Sequence, residues 1–124
     1  MNIAKYINIG DSRIYIYSDQ FLEKVTIDDA ISNTNILTRY LGSENLILED
    51  FKVNNIDKKN NFLICTDGFY SLMDKNLKEF FITFNFKLMS NIRKKLAFLQ
   101  RKKNIDDSTY ILIRNEILHW GWFG

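Results

Sequence analysis

The sequence predicts an α+β domain in which helices cover one face of an antiparallel sheet. Three observations point there. Short runs rich in Ile, Tyr and Phe, broken by Gly, Asp and Ser, fill the first 26 residues. After Asp67 the apolar residues switch to helical spacing. A last strand-like run, Thr109 to Arg114, follows the helices. Strands, then helices, then a strand is the order of an α+β fold.

Composition narrows the class. The chain has 124 residues, enough for one domain and one modest core. A hydrophobic fraction of 46% and an aromatic fraction of 15% exclude a disordered polyelectrolyte. One Cys excludes a disulfide framework and a cysteine zinc cluster. A net charge of +2 does not predict a nucleic-acid partner. No apolar run approaches the roughly 20 residues needed to cross a bilayer, and no leader pattern opens the chain. The expectation is a soluble, cytoplasmic protein that binds neither membrane nor nucleic acid.

The elements follow in order. Residues 3 to 9 and 13 to 17 have strand composition, and Gly10-Asp11-Ser12 between them is hairpin chemistry. Phe21 to Thr26 reads as a third strand, completing an antiparallel meander. Asn35 to Leu41 is a short helix or an extended segment, ended by Gly42. Leu46 to Val53 reads as an edge strand and Asn54 to Asn61 as a polar loop. Phe62 to Cys65 is a continuous apolar run, the pattern of a buried strand. Phe69, Tyr70, Leu72 and Met73 share one helical face, and Asp74 reads as the cap of a second helix bearing Leu77, Phe80 and Phe81. Leu88, Ile92, Leu96 and Leu99 predict an amphipathic helix over about Lys87 to Lys102. The stretch 117–124 is an apolar tail with both Trp residues, distinct from a domain over 1–116.

Few residues offer chemistry. His119 beside Trp120 reads as structural or exposed. Cys65, inside an apolar strand, reads as a small buried hydrophobe rather than a nucleophile. Arg93-Lys94-Lys95 and Arg101-Lys102-Lys103 read as a solvated helix face rather than a phosphate patch. Asp11, Asp67 and Asp106 each flank a strongly apolar strand. Such residues are usually turn or capping groups. Three of them at strand ends also make a shared site for a hard cation a candidate, because Mg²⁺ and Mn²⁺ prefer oxygen ligands and keep several waters.

Five segments, in order, resemble one known family. Asn8 to Tyr15 resembles the N-x-G-D-S-R-x-Y signature of the metal-dependent protein phosphatases of the protein phosphatase 2C type, the PPM family. Leu22, Thr26 and Asp28 match its x-L-x-x-L-T-x-D segment, and Asn35 to Gly42 its N-x-L-T-R-x-L-G. Phe62 to Phe69 matches x-L-L-C-S-D-G-L, and Asp106 to Thr109 matches D-N-x-T. The resemblance implies a β-sandwich flanked by helices and hydrolysis of phosphoserine or phosphothreonine in proteins. It implies a water bridging two Mn²⁺ or Mg²⁺ ions as the nucleophile. It makes Asp67 and Asp106 metal ligands, and Asp11 a ligand of an additional metal shared with Asp67. Three anions at one point repel one another unless a cation is bound, which fits that reading.

The match departs from the family in several places. It begins at the Gly-Asp-Ser-Arg strand, so the resemblance implies a partial domain lacking the family's N-terminal half. That half carries the D-G-x-G motif, whose Asp bridges the two metals, so the metal site is expected to be weak or incomplete. The family's T-x-D-H becomes Thr26-Ile27-Asp28-Asp29, and Asp107 replaces the Asn of D-N. Half a sandwich also leaves an apolar sheet face and strand edges to be covered, by the aromatic tail or by a partner chain. The expected partners are thus a phosphoprotein substrate or a chain supplying the missing half. The alternative is a non-catalytic, phosphatase-like binding or regulatory module.

Overall fold

Nine elements follow one another in a computed structural model that describes residues 3–8, 10–27, 53–57, 59–103 and 107–115. They are β1 (Ile3–Tyr6), β2 (Arg13–Tyr17), β3 (Leu22–Lys24), β4 (Asn54–Asp57), β5 (Asn61–Cys65), α1 (Asp67–Lys75), α2 (Leu77–Phe84), α3 (Met89–Lys103) and β6 (Tyr110–Ile113). An antiparallel four-stranded sheet runs in the order β3-β2-β5-β6. A separate antiparallel pair joins β1 to β4.

Side-chain alternation explains where the core lies. Tyr15 and Tyr17 of β2, Leu63 and Cys65 of β5, and Tyr110 and Leu112 of β6 share one face of the larger sheet. The helices cover that face with Phe69, Leu72 and Met73 from α1, Phe80 and Phe84 from α2, and Ile92 and Leu96 from α3. Phe69 lies at the centre of an aromatic cluster, with ring centroids 5.6 Å from Phe80, 5.0 Å from Tyr110 and 6.5 Å from Phe84. Offset and edge-on rings at such spacings are favoured beyond simple burial. On the opposite face Ile14, Ile16, Phe62 and Ile64 are half-buried, whereas Ile111 and Ile113 are 54% and 47% exposed. An apolar sheet face that stays this open is unusual for a finished surface.

Three expectations need correction. β1 pairs with β4 and not with β2, so Gly10-Asp11-Ser12 joins two sheets instead of closing a hairpin. Strand composition marks a strand without naming its partner, and the partner here lies far along the chain. The segment 54–61 is not all loop: Asn54–Asp57 is β4, and the turn follows it, with the Asp57 side chain accepting from the Lys59 amide at 2.9 Å. Asp74 does not cap the second helix. It lies inside α1, and Asn76 forms the junction to α2 without a side-chain cap bond. The Asp74 carboxylate instead pairs with Arg13 at 3.3 Å. The expected elements at 35–41 and 46–52, His119 and the tail at 117–124 lie outside the described residues.

The reading of Cys65 as a buried hydrophobe holds. Cys65 is 2% exposed, and burial pushes its thiol up to about 12, so it carries almost no thiolate near neutrality. On α3, Arg93, Lys94 and Arg101 are exposed, while Lys95 pairs with Glu79 at 3.1 Å and lies 5.3 Å from the Phe98 ring. Such surface pairs add little stability. Among the described residues no helix is long and apolar enough to cross a membrane.

Candidate functional site

The β2–β5 ladder runs toward two of the predicted carboxylates, Asp11 and Asp67, at one end of the larger sheet. The β2–β5 ladder pairs Arg13 with Cys65. Extending it two residues past that pair puts Asp11 level with Asp67. On the other side β5 pairs Cys65 with Tyr110, and Thr66 continues the ladder to Thr109. The Thr66 amide donates to the Thr109 carbonyl at 3.0 Å, and the Thr109 amide donates to the Thr66 hydroxyl at 3.0 Å. The next step brings residues 67 and 68 beside 107 and 108.

Gly68 closes that step. A Cβ there would overlap the carbonyl oxygen of Asp107, so only a residue without one allows α1 to start against the lead-in to β6. Thr66 precedes α1 in extended backbone and would normally cap it, yet its hydroxyl is used on Thr109. Asp67 compensates: its Oδ1 accepts from the Gly68 amide at 2.9 Å, satisfying a donor that the helix leaves open. The Asp67 carboxylate therefore sits at the positive end of α1, half-buried.

Asp11 is also half-buried and follows Gly10, whose φ of 107° lies in the left-handed region favoured by glycine. The Tyr70 hydroxyl donates to the Asp11 main-chain carbonyl at 3.0 Å. The Arg13 guanidinium stacks over the Tyr70 ring, 3.6 Å from its centroid, and donates to the Tyr15 hydroxyl at 2.8 Å. Burial pushes the Tyr15 phenol up to about 12, against the opposing pull of Arg13, so it stays a neutral acceptor. The structure thus brings Asp11 and Asp67 to one end. Asp106 lies outside the described residues, although its neighbour Asp107 packs on Gly68.

Sequence reasoning missed Thr66, Gly68, Tyr70 and Arg13 as builders of this end. Tyr70 reads as one more apolar residue on a helical face, and nothing in the spacing tells its ring from its hydroxyl. For Arg13, the signals are its place two residues after Asp11 on a strand and its match to the Arg of the N-x-G-D-S-R-x-Y segment.

Asp11 and Asp67 are half-buried carboxylates, a donor type that suits a hard divalent cation, and Asp67 opens a helix. Among the described residues no group of three or more His, Cys, Asp or Glu side chains stands together in a metal-holding arrangement.

Comparison with known proteins identifies the fold. No family profile matches the chain, and no curated protein matches it. Solved structures do. The chain is similar to PppA of Pseudomonas aeruginosa, described as a key regulatory component of T6SS, with a TM-score of 0.75 and 21% identity over 91% of this chain and 52% of that one. It is similar to the catalytic domain of the serine/threonine protein phosphatase PstP in complex with two manganese ions, with a TM-score of 0.70 and 17% identity over 91% and 53%. It is similar to the PPM Ser-Thr phosphatase MsPP from Mycobacterium smegmatis in complex with cacodylate, with a TM-score of 0.65 and 20% identity over 89% and 55%. The chain has the α+β fold of part of a PPM phosphatase domain, and it spans about half the length of these structures.

Proposed function

We propose that the chain forms one side of the metal centre of a PPM-type protein serine/threonine phosphatase. The observation that carries this reading is the β2–β5 ladder, whose last pair, Arg13 with Cys65, lies two residues from Asp11 and from Asp67, within a fold matched by manganese-bound PstP. Asp67 and Asp106 would hold a catalytic Mn²⁺ or Mg²⁺, and Asp11 with Asp67 a further ion. Such an ion, when bound, supplies an acidified water and neutralises phosphoryl charge. The chain's own part is positional. Gly68 lets the helix bearing Asp67 close on the strand after Asp106, and the Gly10 turn presents Asp11 beside it. The remaining ligands, including a D-G-x-G aspartate, would come from sequence beyond these 124 residues. The exposed Ile111 and Ile113 support a covering sheet from that other part.

The test is hydrolysis of p-nitrophenyl phosphate with Mn²⁺ by the full chain, coexpressed with the sequence encoded upstream of it. We expect hydrolysis that needs a D-G-x-G segment in the pair, and a fall of at least about a hundredfold on Asp67→Asn. Hydrolysis untouched by Asp67→Asn contradicts the reading. A second reading is a non-catalytic phosphatase-like regulatory module. The likeness to a protein described as a regulatory component favours it. It gains if the complete pair binds phosphoprotein and Mn²⁺ but hydrolyses nothing.

A further inference from the structure

We propose that Tyr70 is a positioning residue for Asp11, tying the Asp11 turn to the same helix that presents Asp67. The effect on metal binding rests on the phosphatase reading above, but the tie itself does not. Tyr70 stands on α1 within one turn of Asp67. Its hydroxyl donates to the Asp11 carbonyl at 3.0 Å. That carbonyl belongs to a turn between two sheets, outside any strand ladder, and the turn starts from the strained-for-most-residues backbone of Gly10. A segment of this kind needs an external contact to hold one conformation.

Arg13 and Asp74 brace the contact. The Arg13 guanidinium covers the Tyr70 ring at 3.6 Å and reaches Asp74, also on α1, at 3.3 Å. α1 therefore grips the Asp11–Arg13 segment through the Tyr70 hydroxyl, the Tyr70 ring and Asp74. A movement of α1 that displaces Asp67 displaces Asp11 with it, so the spacing of the two carboxylates is held by one rigid element. Tyr70 is 8% exposed, and its ring fills the core as a phenylalanine ring would. The hydroxyl is thus separable from the packing.

Tyr70→Phe in the isotope-labelled full chain tests this, first without metal. The Asp11 carbonyl carbon resonance is expected to move upfield, and opening of the Asp11 turn to rise about three- to tenfold, the worth of one hydrogen bond. Unchanged Asp11 signals in a cooperatively folding variant overturn the proposal, whether or not metal binds. A Mn²⁺ titration then reads the consequence. The concentration that half-broadens the Asp11 amide is expected to rise about three- to tenfold in Tyr70→Phe. Equal midpoints overturn the positioning role. No broadening near Asp11 or Asp67 in the unaltered chain defeats the metal reading and leaves the Tyr70–Asp11 tie to be decided by the first experiment.

Discussion

Replacing Phe69 by Ala is expected to remove about 3–5 kcal/mol of stability, the largest loss of any single side chain in the fold. Phe69 is 0% exposed and contacts rings from two other elements, Phe80 and Phe84 of α2 and Tyr110 of β6. Truncation leaves a cavity bounded by aromatic rings that are themselves fixed by helix and strand, so the site cannot collapse to fill it. A domain of this size holds about 5–15 kcal/mol in total, so the variant should unfold at a much lower urea midpoint. A midpoint within error of the unaltered chain would show that Phe69 is not packed against α2 and β6 as described. Phe69→Leu, which keeps most of the volume, should recover much of the loss.

Gly68→Ala should be the next most damaging change, although it adds only one methyl group. The added carbon meets the Asp107 carbonyl oxygen, which is backbone and cannot turn aside as a side chain would. Either the start of α1 or the lead-in to β6 must retreat. Overpacking of this kind costs about 1–3 kcal/mol, and a backbone obstacle puts the expected loss at the upper end. In a free helix the same change would be stabilising, because Ala is the better helix former by about 1 kcal/mol. The sign is therefore diagnostic: a more stable Gly68→Ala variant would mean that α1 and the 107–109 segment do not meet. Retreat also separates Asp67 from the strand that follows Asp106, so any affinity for Mn²⁺ should fall with stability.

Much of this arrangement is legible in the residues, and the illegible part has a common cause. The three- and four-residue spacing correctly marks Ile92 and Leu96 of α3, both 0% exposed, because helix amphipathicity is a local property, but not Leu88, which precedes the helix and is 61% exposed. The apolar run at Phe62–Cys65 marks β5 for the same reason. The partner of β1 is not local. Asn54–Asp57 has a polar composition that reads as loop, and it becomes a strand by pairing with Ile3–Tyr6. Asp74 resembles a cap because capping residues are short and polar, yet its partner is Arg13 on the sheet face that α1 covers. At the site, family motifs name Asp11 and Asp67, but only the β2–β5 register shows why they share an end. Thr66, Gly68 and Tyr70 stayed hidden because each acts on main-chain atoms of a distant segment.

The central claim is that this sheet end holds a divalent cation. It is tested most directly by titrating Mn²⁺ into the nitrogen-15-labelled full chain and following paramagnetic broadening of the amides. Signals at Asp11, Asp67 and residues 106–107 are expected to broaden together, before any others, and Asp67→Asn to abolish the effect. Broadening that begins elsewhere, or that survives Asp67→Asn unchanged, would contradict it.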